Sequence, residues 1–295
     1  MDRLLIVDGH AYAYRAFHAI RSLHSPSGEP TNAIYGFVKM LAKMRAAIEP
    51  THWIVVWDGG LSEKRTAILP EYKAQRPEMP DDLRLQLDGI VSYLHASGIA
   101  SFMREGVEAD DYIACLARRA VAAAMAVVIA SADKDFMQLV SEHVGLLNPH
   151  GDTETVWTAE QVRTKTGVAP SQIVDWLSLR GDSVDNIPGV PGVGPKTAAE
   201  LLQQFGSVEK IYARLDEVKS EKLRTALRSV EGNVRRNREL VRLHDDLPCE
   251  FSPEEMAVGK PTDVARLREL YQRWGFKTLL AALEASAREG QAVLI

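Results

Sequence analysis

The segment "RLLIVD" at residues 3–8 is a short apolar run that ends on a carboxylate. Similar apolar runs recur along the chain at 52–58, 100–103, 125–131 and, more weakly, 144–148. Amphipathic segments with helical periodicity lie between them, for example at 33–48 and 81–98. Buried strands that alternate with helices predict βαβ units. The fold class expected from this pattern is α/β, with a mostly parallel central sheet flanked by helices.

The strand pattern stops near residue 158, and the rest of the chain shows only helical and turn patterns. We therefore predict two domains, an α/β domain at 1–170 and a helical domain at 171–295 that packs back on it. No internal repeat or low-complexity segment interrupts either part.

The composition is that of an ordinary soluble protein of 295 residues, with 46% hydrophobic and 25% charged residues. Cys115 and Cys249 lie far apart and in no metal-ligand spacing, which excludes zinc and disulfide-rich classes and favours a reducing cytoplasm. The first apolar run is too short for a signal peptide or a membrane span. The net charge of −5 argues only weakly against a nucleic-acid partner, because it sums acidic clusters with any basic surface.

Carboxylates follow several predicted strands at the point where each strand ends. Asp8 ends the first run, and Asp133 follows the run at 125–131. Because the carboxyl ends of parallel strands meet at one edge of a sheet, we expect these side chains to converge there. A helix start and a polar turn add further acids. The expected set is Asp8, Asp58, Glu108, Asp110, Asp111, Asp133, Asp135, Asp182 and Asp185.

Such a set of acids predicts divalent metal ions. Crowded like charges raise carboxyl pKa values, and a divalent cation removes that cost. Ligands that are all oxygen favour Mg²⁺ or Mn²⁺ over zinc. Two such ions in one pocket can activate water and stabilise a phosphoryl leaving group. For any single residue, the alternative of a helix cap or a solvated surface acid stays open.

The segment "NIPGVPGVGPKTAAELLQQFG" at 186–206 predicts a helix–hairpin–helix that grips a nucleic-acid backbone. It is not a phosphate-binding loop of mononucleotide sites, because Pro195 separates Gly194 from Lys196. Its glycines allow close approach of a ligand, and the second helix presents free N–H groups to a phosphate. The contacts expected here are Gly192, Gly194, Lys196 and Thr197. A plain glycine-capped turn between two helices is the alternative.

Two basic stretches accompany this hairpin. Residues 219–244 carry eight arginines and lysines against three glutamates and would extend a phosphate-binding track, unless they form a solvated helix face. Residues 61–82 form a polar, proline-containing segment typical of a functional loop, unless it is a plain surface loop. Its candidate phosphate contacts are Lys64, Arg65, Lys73 and Arg76, and Tyr72 is a candidate for stacking on a base.

Several long motifs carry a family resemblance, namely "VDGHAYAYRAFHA", "EYKAQRPEMP", "GVEADDYIACLA", "ADKDFMQLV" and "RGDSVDNIPGVPGVGPKTAAELL". The sequence closely resembles the 5′-nuclease domain of bacterial DNA polymerase I, within the flap endonuclease superfamily, almost from end to end. The resemblance implies a PIN-like core and a magnesium-dependent 5′→3′ exonuclease and flap endonuclease. Its expected substrates are DNA with 5′ ends, flaps, nicks or RNA primers, in replication and repair.

The resemblance also implies roles for individual residues. One metal ion would be held by Glu108, Asp110 and Asp133, and the second by Asp133, Asp135 and Asp185. The remaining acids, mostly acting through water, would be Asp8, Asp58, Asp111 and Asp182. Lys73 and Arg76 would approach the scissile phosphate from a helical arch near 61–82. The hairpin would bind duplex DNA, often with K⁺, and Arg15 of the first motif is a further expected nucleic-acid contact.

Other functions compete with this interpretation. A catalytically inactive junction-binding protein is disfavoured by the complete acid set, and a single-strand ribonuclease by the duplex-gripping hairpin. A phosphatase with an aspartyl nucleophile would need Asp-x-Asp, whereas this chain has Asp8-Gly9-His10. We expect a cytoplasmic, nucleoid-associated monomer that works beside a DNA polymerase. The sequence ends about where a polymerase would continue, so either a stand-alone nuclease or an excised fragment is expected.

Overall fold

A computed structural model describes residues 1–147 and 155–288. Its central sheet has six strands in the order β3-β2-β1-β4-β5-β6. The strands are β1 (Arg3–Asp8), β2 (His52–Trp57), β3 (Ala100–Met103), β4 (Ala126–Ala130), β5 (Val144–Leu147) and β6 (Val156–Trp157). The first five are parallel and only β6 is antiparallel, which confirms the predicted fold class.

Helices cover both faces of this sheet. The N-terminal helices are α1 (Gly9–Ala19), α2 (Asn32–Ile48), α3 (Glu63–Ile68), α4 (Asp81–Ala96) and α5 (Ala109–Ala122). The later ones are α6 (Ala159–Thr166), α7 (Ile173–Arg180), α8 (Pro195–Phe205), α9 (Val208–Ala213), α10 (Glu221–Ser229), α11 (Glu231–Val241), α12 (Pro253–Met256), α13 (Val264–Trp274) and α14 (Lys277–Arg288). No helix within the described ranges is both long and apolar enough to cross a membrane.

Alternation along the strands divides the core into two layers. Leu4 and Ile6 of β1 are buried in one cluster with residues of α5 and of α6 to α11, whereas Leu5 and Val7 are buried in another with residues of α1, α2 and α4. Successive side chains of a strand point to opposite faces, so a fully apolar strand buries both. The sheet therefore lies in the middle of the molecule and holds its strand ends in fixed positions.

The C-terminal helices return to the sheet. Leu267 and Trp274 of α13 are buried in the same layer as the residues of α4 and β2. Helices α13 and α14 thus pack on the face opposite to α6–α11. The domain division near residue 170 stays a prediction.

A short hairpin interrupts the helical region. Strands β7 (Gly181–Asp182) and β8 (Ile187–Pro188) pair in antiparallel fashion, and Asn186 in their turn has a φ of 58°. The expectation of helices and turns alone after residue 158 is wrong here. Two-residue strands have no detectable periodicity, so the sequence pattern could not predict them.

Segment 61–82 contains one short helix and then a turn. Helix α3 ends at Ile68, and residues 69–80 contain turn and irregular structure up to the start of α4. Prolines at 70, 77 and 80 account for this, because proline cannot donate a helical hydrogen bond and clashes within a helix interior. The helical arch expected near 61–82 stays a prediction.

Close packing of the hairpin predicts a large effect of one methyl group. A Cβ on Gly189 would lie 2.3 Å from the backbone C and O of Arg180, whereas a Cβ on Gly194 would meet nothing within 4 Å. Gly189→Ala should lower the free energy of unfolding by about 2 kcal/mol or more, and Gly194→Ala by about 0.5 kcal/mol or less. Urea unfolding of both variants measures this. Equal losses would contradict the packing described for β7 and β8.

Candidate active site

Acidic side chains gather at the carboxyl edge of the sheet. Asp8 is the last residue of β1, Asp58 directly follows β2, and Asp133 and Asp135 follow β4. Two of them also cap helices: Asp8 accepts from the N–H of Ala11 at 3.1 Å, and Asp133 accepts from the N–H of Asp135 at 2.9 Å. Helix capping and convergence are therefore compatible roles for the same carboxylates.

The three acids at the start of α5 point in different directions. Glu108 is the N-cap residue, and Asp110 and Asp111 lie in the first turn. Asp110 faces the ammonium group of Lys73 at 3.9 Å. Asp111 instead contacts Arg65, with its two carboxylate oxygens at 2.7 Å from Nη2 and Nη1.

Arg65 of α3 uses all of its N–H donors in the interior. Its side chain is 2% exposed. The guanidinium donates to Glu108 Oε2 at 3.0 Å, Asp111 Oδ2 and Oδ1 at 2.7 Å each, Leu240 O at 2.9 Å and Arg242 O at 2.9 Å. A planar guanidinium suits such a bidentate carboxylate contact. Arg65 thus joins α3, the start of α5 and the end of α11.

These contacts correct two residue assignments. Arg65 was expected to meet a substrate phosphate, but its donors are already taken by protein acceptors. Asp111 was expected in the metal-binding set, but it accepts from Arg65 and from the N–H of His244 at 2.9 Å. The reason is direction: consecutive residues of a helix point about a quarter turn apart, so Asp110 and Asp111 cannot both face the sheet edge.

Lys73 and Tyr72 close over Glu108. Lys73 Nζ lies 2.9 Å from Glu108 Oε2, and Tyr72 donates its hydroxyl to the same oxygen at 3.2 Å and to Asp185 Oδ2 at 3.4 Å. The other oxygen of Glu108 accepts from the N–H of Ser62 at 3.0 Å. Tyr72 is 3% exposed, so the expectation that its ring stacks on a base is wrong for this conformation.

Two further cations bind the acids of the hairpin. Lys134 Nζ lies 2.6 Å from Asp182 Oδ2, and Arg76 Nη2 lies 2.6 Å from Asp185 Oδ1. Lys134 was missed in the sequence interpretation, although its position between Asp133 and Asp135 was a usable signal. The sequence shows its charge but not which way its side chain turns.

Three of the acids form a compact oxygen cluster. Asp135, Asp182 and Asp185 are buried, and each offers a carboxylate oxygen within 4.8 Å of the other two. Oδ1 of Asp135 is buried and has no hydrogen-bond partner among the residues that the structure describes. An orphaned oxygen in an all-carboxylate cluster fits a hard divalent cation. The cluster contains Asp182 where the expected group for the second ion had Asp133.

Burial and mutual repulsion raise several carboxyl pKa values. Burial raises the pKa of Asp8 to about 6, and the neighbouring Asp133 adds to the shift. Burial also raises the pKa of Asp110 and Asp135 well above the ordinary range, again with the Asp133 charge contributing. The edge therefore cannot carry its full negative charge without nearby cations.

Glu108 behaves differently from these acids. Burial alone would raise its pKa, but the ammonium of Lys73 and the guanidinium of Arg65 outweigh that effect and hold the pKa below its ordinary value. Glu108 is thus an ionised carboxylate whose negative charge is balanced by Lys73 and Arg65. Its expected role as a metal ligand stays a prediction.

The glycine segment has the expected turn and helix. Helix α8 begins at Pro195 with Gly194 as its N-cap, and Gly192 has a φ of 80°. Lys196 is exposed and Thr197 is half-buried at the same end. The carbonyl of Pro195 accepts from Trp176 Nε1 at 3.0 Å, which fixes the turn on α7. Nucleic-acid contacts at this turn, and at half-buried Arg15 on α1, stay predictions.

Part of the positive charge in residues 219–244 is compensated within the protein. Arg228 pairs with Asp216, Arg235 with Glu231, and Arg238 with both Asp175 and Glu209. These ion pairs reduce the surplus of positive charge that the sequence suggests. The phosphate-binding track predicted from residues 219–244 therefore has fewer uncompensated positive charges than the sequence suggests.

Two family models match consecutive parts of the chain. The model of the 5′-3′ exonuclease N-terminal resolvase-like domain matches residues 3–167. The model of the 5′-3′ exonuclease C-terminal SAM fold matches residues 168–264. Together they include the sheet edge with its carboxylates and the helices with the glycine turn.

Two relatives are similar over almost the whole chain. A 5′-3′ exonuclease of Aquifex aeolicus (strain VF5) is 40% identical over 289 residues, which are 98% of each protein. A DNA polymerase I of Bacillus caldotenax is also 40% identical over 289 residues, but these are 97% of this chain and 33% of that protein. The chain therefore corresponds to nearly all of the exonuclease and to one part of the polymerase.

A solved structure shares the fold. The T5 D15 flap endonuclease, in a pseudo-enzyme–product complex with DNA and metal ions, matches with a TM-score of 0.68 at 24% sequence identity. The match covers 92% of this chain and 99% of that chain. It extends through both the sheet and the C-terminal helices.

The saturated guanidinium predicts that lysine cannot replace Arg65. Arg65→Lys keeps the charge but loses the bidentate contact and leaves two backbone carbonyls without a hydrogen-bond donor. The free energy of unfolding should therefore fall by about 2–4 kcal/mol. The control is Arg84→Lys, whose ion pair with Asp81 is exposed and should change by about 0.5 kcal/mol or less. Chemical denaturation compares the two. A loss at Arg65 no larger than at Arg84 would contradict the described role.

Proposed function

The chain belongs to the 5′-3′ exonuclease family, and from this premise we propose that it hydrolyses phosphodiester bonds at 5′ ends, flaps and nicks with two divalent ions. The observation that carries the metal assignment is the buried cluster of Asp135, Asp182 and Asp185, with its unpartnered Asp135 oxygen. The proposed ions are Mg²⁺ or Mn²⁺, because every donor at the edge is oxygen.

The proposed metal-binding residues lie on both sides of the edge. Asp135, Asp182 and Asp185 would hold one ion, and Asp8, Asp110 and Asp133 are the acids available on the sheet side. Bound ions would supply Lewis acidity and a more acidic water for attack on the phosphate. The raised pKa values of Asp110 and Asp135 support this assignment, because acids that repel one another are the ones that a cation stabilises most.

Lys73 and Arg76 are proposed to bind the scissile phosphate. Both belong to segment 61–82 and both contact acids of the site, since Lys73 binds Glu108 and Arg76 binds Asp185 of the cluster. Their charges therefore stand beside the point where a phosphate would meet the ions. Lys73 adopts a φ of 57°, and its N–H donates to the carbonyl of Asp185 at 3.1 Å, which holds this segment on the hairpin.

The glycine turn is proposed to bind the duplex part of the substrate. The N-terminus of α8 presents backbone N–H groups, and exposed Gly192 leaves room for a sugar-phosphate backbone. The T5 relative in complex with DNA and metal ions supports a DNA substrate for this fold. K⁺ bound by carbonyls of the turn belongs to the same proposal. Recognition would depend on backbone and junction shape and not on base sequence.

The wider context is proposed from the relatives. The match to one part of a DNA polymerase I supports a role beside a polymerase. With 5′ flaps and nicks as substrates, that role would be primer removal in the bacterial nucleoid. We further propose that residues 1–170 carry the catalytic groups, that 171–295 carry the DNA-binding helices, that 61–82 form the arch, and that the chain acts as a monomer.

A labelled 5′-flap duplex tests the proposed activity. With Mg²⁺ the protein should release short 5′ products, and EDTA should abolish them. Asp135→Asn keeps the side-chain size but removes a ligand charge, so cleavage should fall by about 100-fold or more. The control is Asp88→Asn, an exposed acid of α4 that should cut at the normal rate. Cleavage in EDTA, or full activity of Asp135→Asn, would contradict the proposal; flap binding without cleavage would indicate a junction-binding protein.

The turn predicts a defined loss of duplex affinity. Lys196→Ala should weaken binding of an uncleaved duplex equally for different base sequences and lower the slope of log K against log salt by about 1. Lys165→Ala, an exposed lysine of α6, is the matched control and should leave the slope unchanged. Fluorescence anisotropy over a salt series in EDTA measures both. An unchanged slope in Lys196→Ala would remove this residue from the interface.

A further inference from the structure

Two kinds of cation neutralise the acids of the site. Arg65 and Lys73 bind Glu108, and each of their side chains is 2% exposed. Lys134 binds Asp182 with a side chain that is 27% exposed, and Arg76 binds Asp185 with a side chain that is 42% exposed. Arg65 and Lys73 are therefore held inside the protein beside Glu108, whereas Lys134 and Arg76 are exposed enough to turn into solvent.

Lys134 contacts Asp182 through its terminal ammonium group. It is the first residue of the short 3-10 helix at 134–139 that follows β4, and its Nζ lies 2.6 Å from Asp182 Oδ2. The other oxygen, Oδ1, accepts from the N–H of Val184 at 3.0 Å. Asp182 is 4% exposed and lies in β7, so strand pairing and not the lysine holds its backbone.

The ammonium group and a divalent ion compete for one carboxylate. Asp182 belongs to the cluster with Asp135 and Asp185, and Asp135 keeps an oxygen without a partner. A lysine ammonium is a compact and strongly hydrated point charge, which can exchange its carboxylate for water when its side chain is partly exposed. An ion held by all three acids would place a second positive charge against Nζ, and the two would repel each other.

We propose that Lys134 is a displaceable counter-cation, which occupies Asp182 in the absence of a divalent ion and must leave it when the ion binds. Lys134 thereby raises the concentration of divalent ion that the cluster needs in order to bind it. This inference rests on the proposed function of Asp135, Asp182 and Asp185 as a metal site. Lys134 acts through Asp182 and is a positioning residue, not a catalytic one.

Metal titration tests the proposal without reference to activity. Lys134→Met retains the chain length but removes the charge, and isothermal titration with Mn²⁺ should show binding about three- to tenfold tighter than in the unmodified protein. Lys134→Arg keeps the charge and should stay within about twofold. Lys165→Met removes an exposed lysine from α6 and should also stay within about twofold.

A second mutation separates competition at Asp182 from a general charge effect. In an Asp182→Asn background, the ammonium loses its carboxylate partner, so Lys134→Met should leave Mn²⁺ affinity unchanged within about twofold. Without metal, Lys134→Met should also melt at a lower temperature than the unmodified protein. The rise in melting temperature with saturating Mn²⁺ should be larger in the variant than in the unmodified protein.

The outcomes distinguish this inference from the proposed function. Unchanged Mn²⁺ binding in Lys134→Met would overturn the counter-cation role. Weaker Mn²⁺ binding would also overturn it, because the lysine would then support the geometry of the ligands. Equal tightening in the Asp182→Asn background would overturn it as well. If the unmodified protein binds no Mn²⁺, the metal assignment itself fails. If the unmodified protein binds and cuts but the lysine variant behaves identically, only the counter-cation role fails.

Discussion

The crowding of carboxylates at one edge of a parallel sheet is the constraint on which the rest of the site depends. Burial and the charge of Asp133 raise the pKa of Asp110 and Asp135, so the edge carries its full negative charge only with positive charge beside it. The chain supplies that charge from segment 61–82 and from Lys134. The sheet therefore determines where the acids lie, and the acids determine where the surrounding segments must fold.

Arg65 shows how this constraint connects distant parts of the chain. Its guanidinium binds Glu108 and Asp111 at the start of α5 and two carbonyl groups at the end of α11. A cation needed by the acids thus also fixes the helical region against the sheet. The same segment carries Lys73 and Arg76, the groups proposed to meet a phosphate, and the N–H of Lys73 holds that part of it on the carbonyl of Asp185. Arg65 therefore contributes both to charge balance at the carboxyl edge and to the packing of α3.

The sequence predicted the scaffold better than the contacts within it. The runs at 3–8 and 100–103 match β1 and β3, because apolar strands between polar turns have a clear pattern. The convergence of acids followed from the geometry of parallel sheets. The directions of Arg65, Tyr72 and Lys134 could not be predicted, since charge and size do not show which of several nearby carboxylates a long side chain will contact.

The metal assignment can be checked by a crystal structure with Mn²⁺, in which anomalous scattering locates the ions. We expect one ion bound by Asp135, Asp182 and Asp185, and a second on the sheet side beside Asp133. Nζ of Lys134 should have moved away from Asp182, while Arg65 keeps its contacts with Glu108 and Asp111. An ion bound elsewhere, or none at this edge under saturating Mn²⁺, would contradict the claim that these carboxylates converge in order to hold metal.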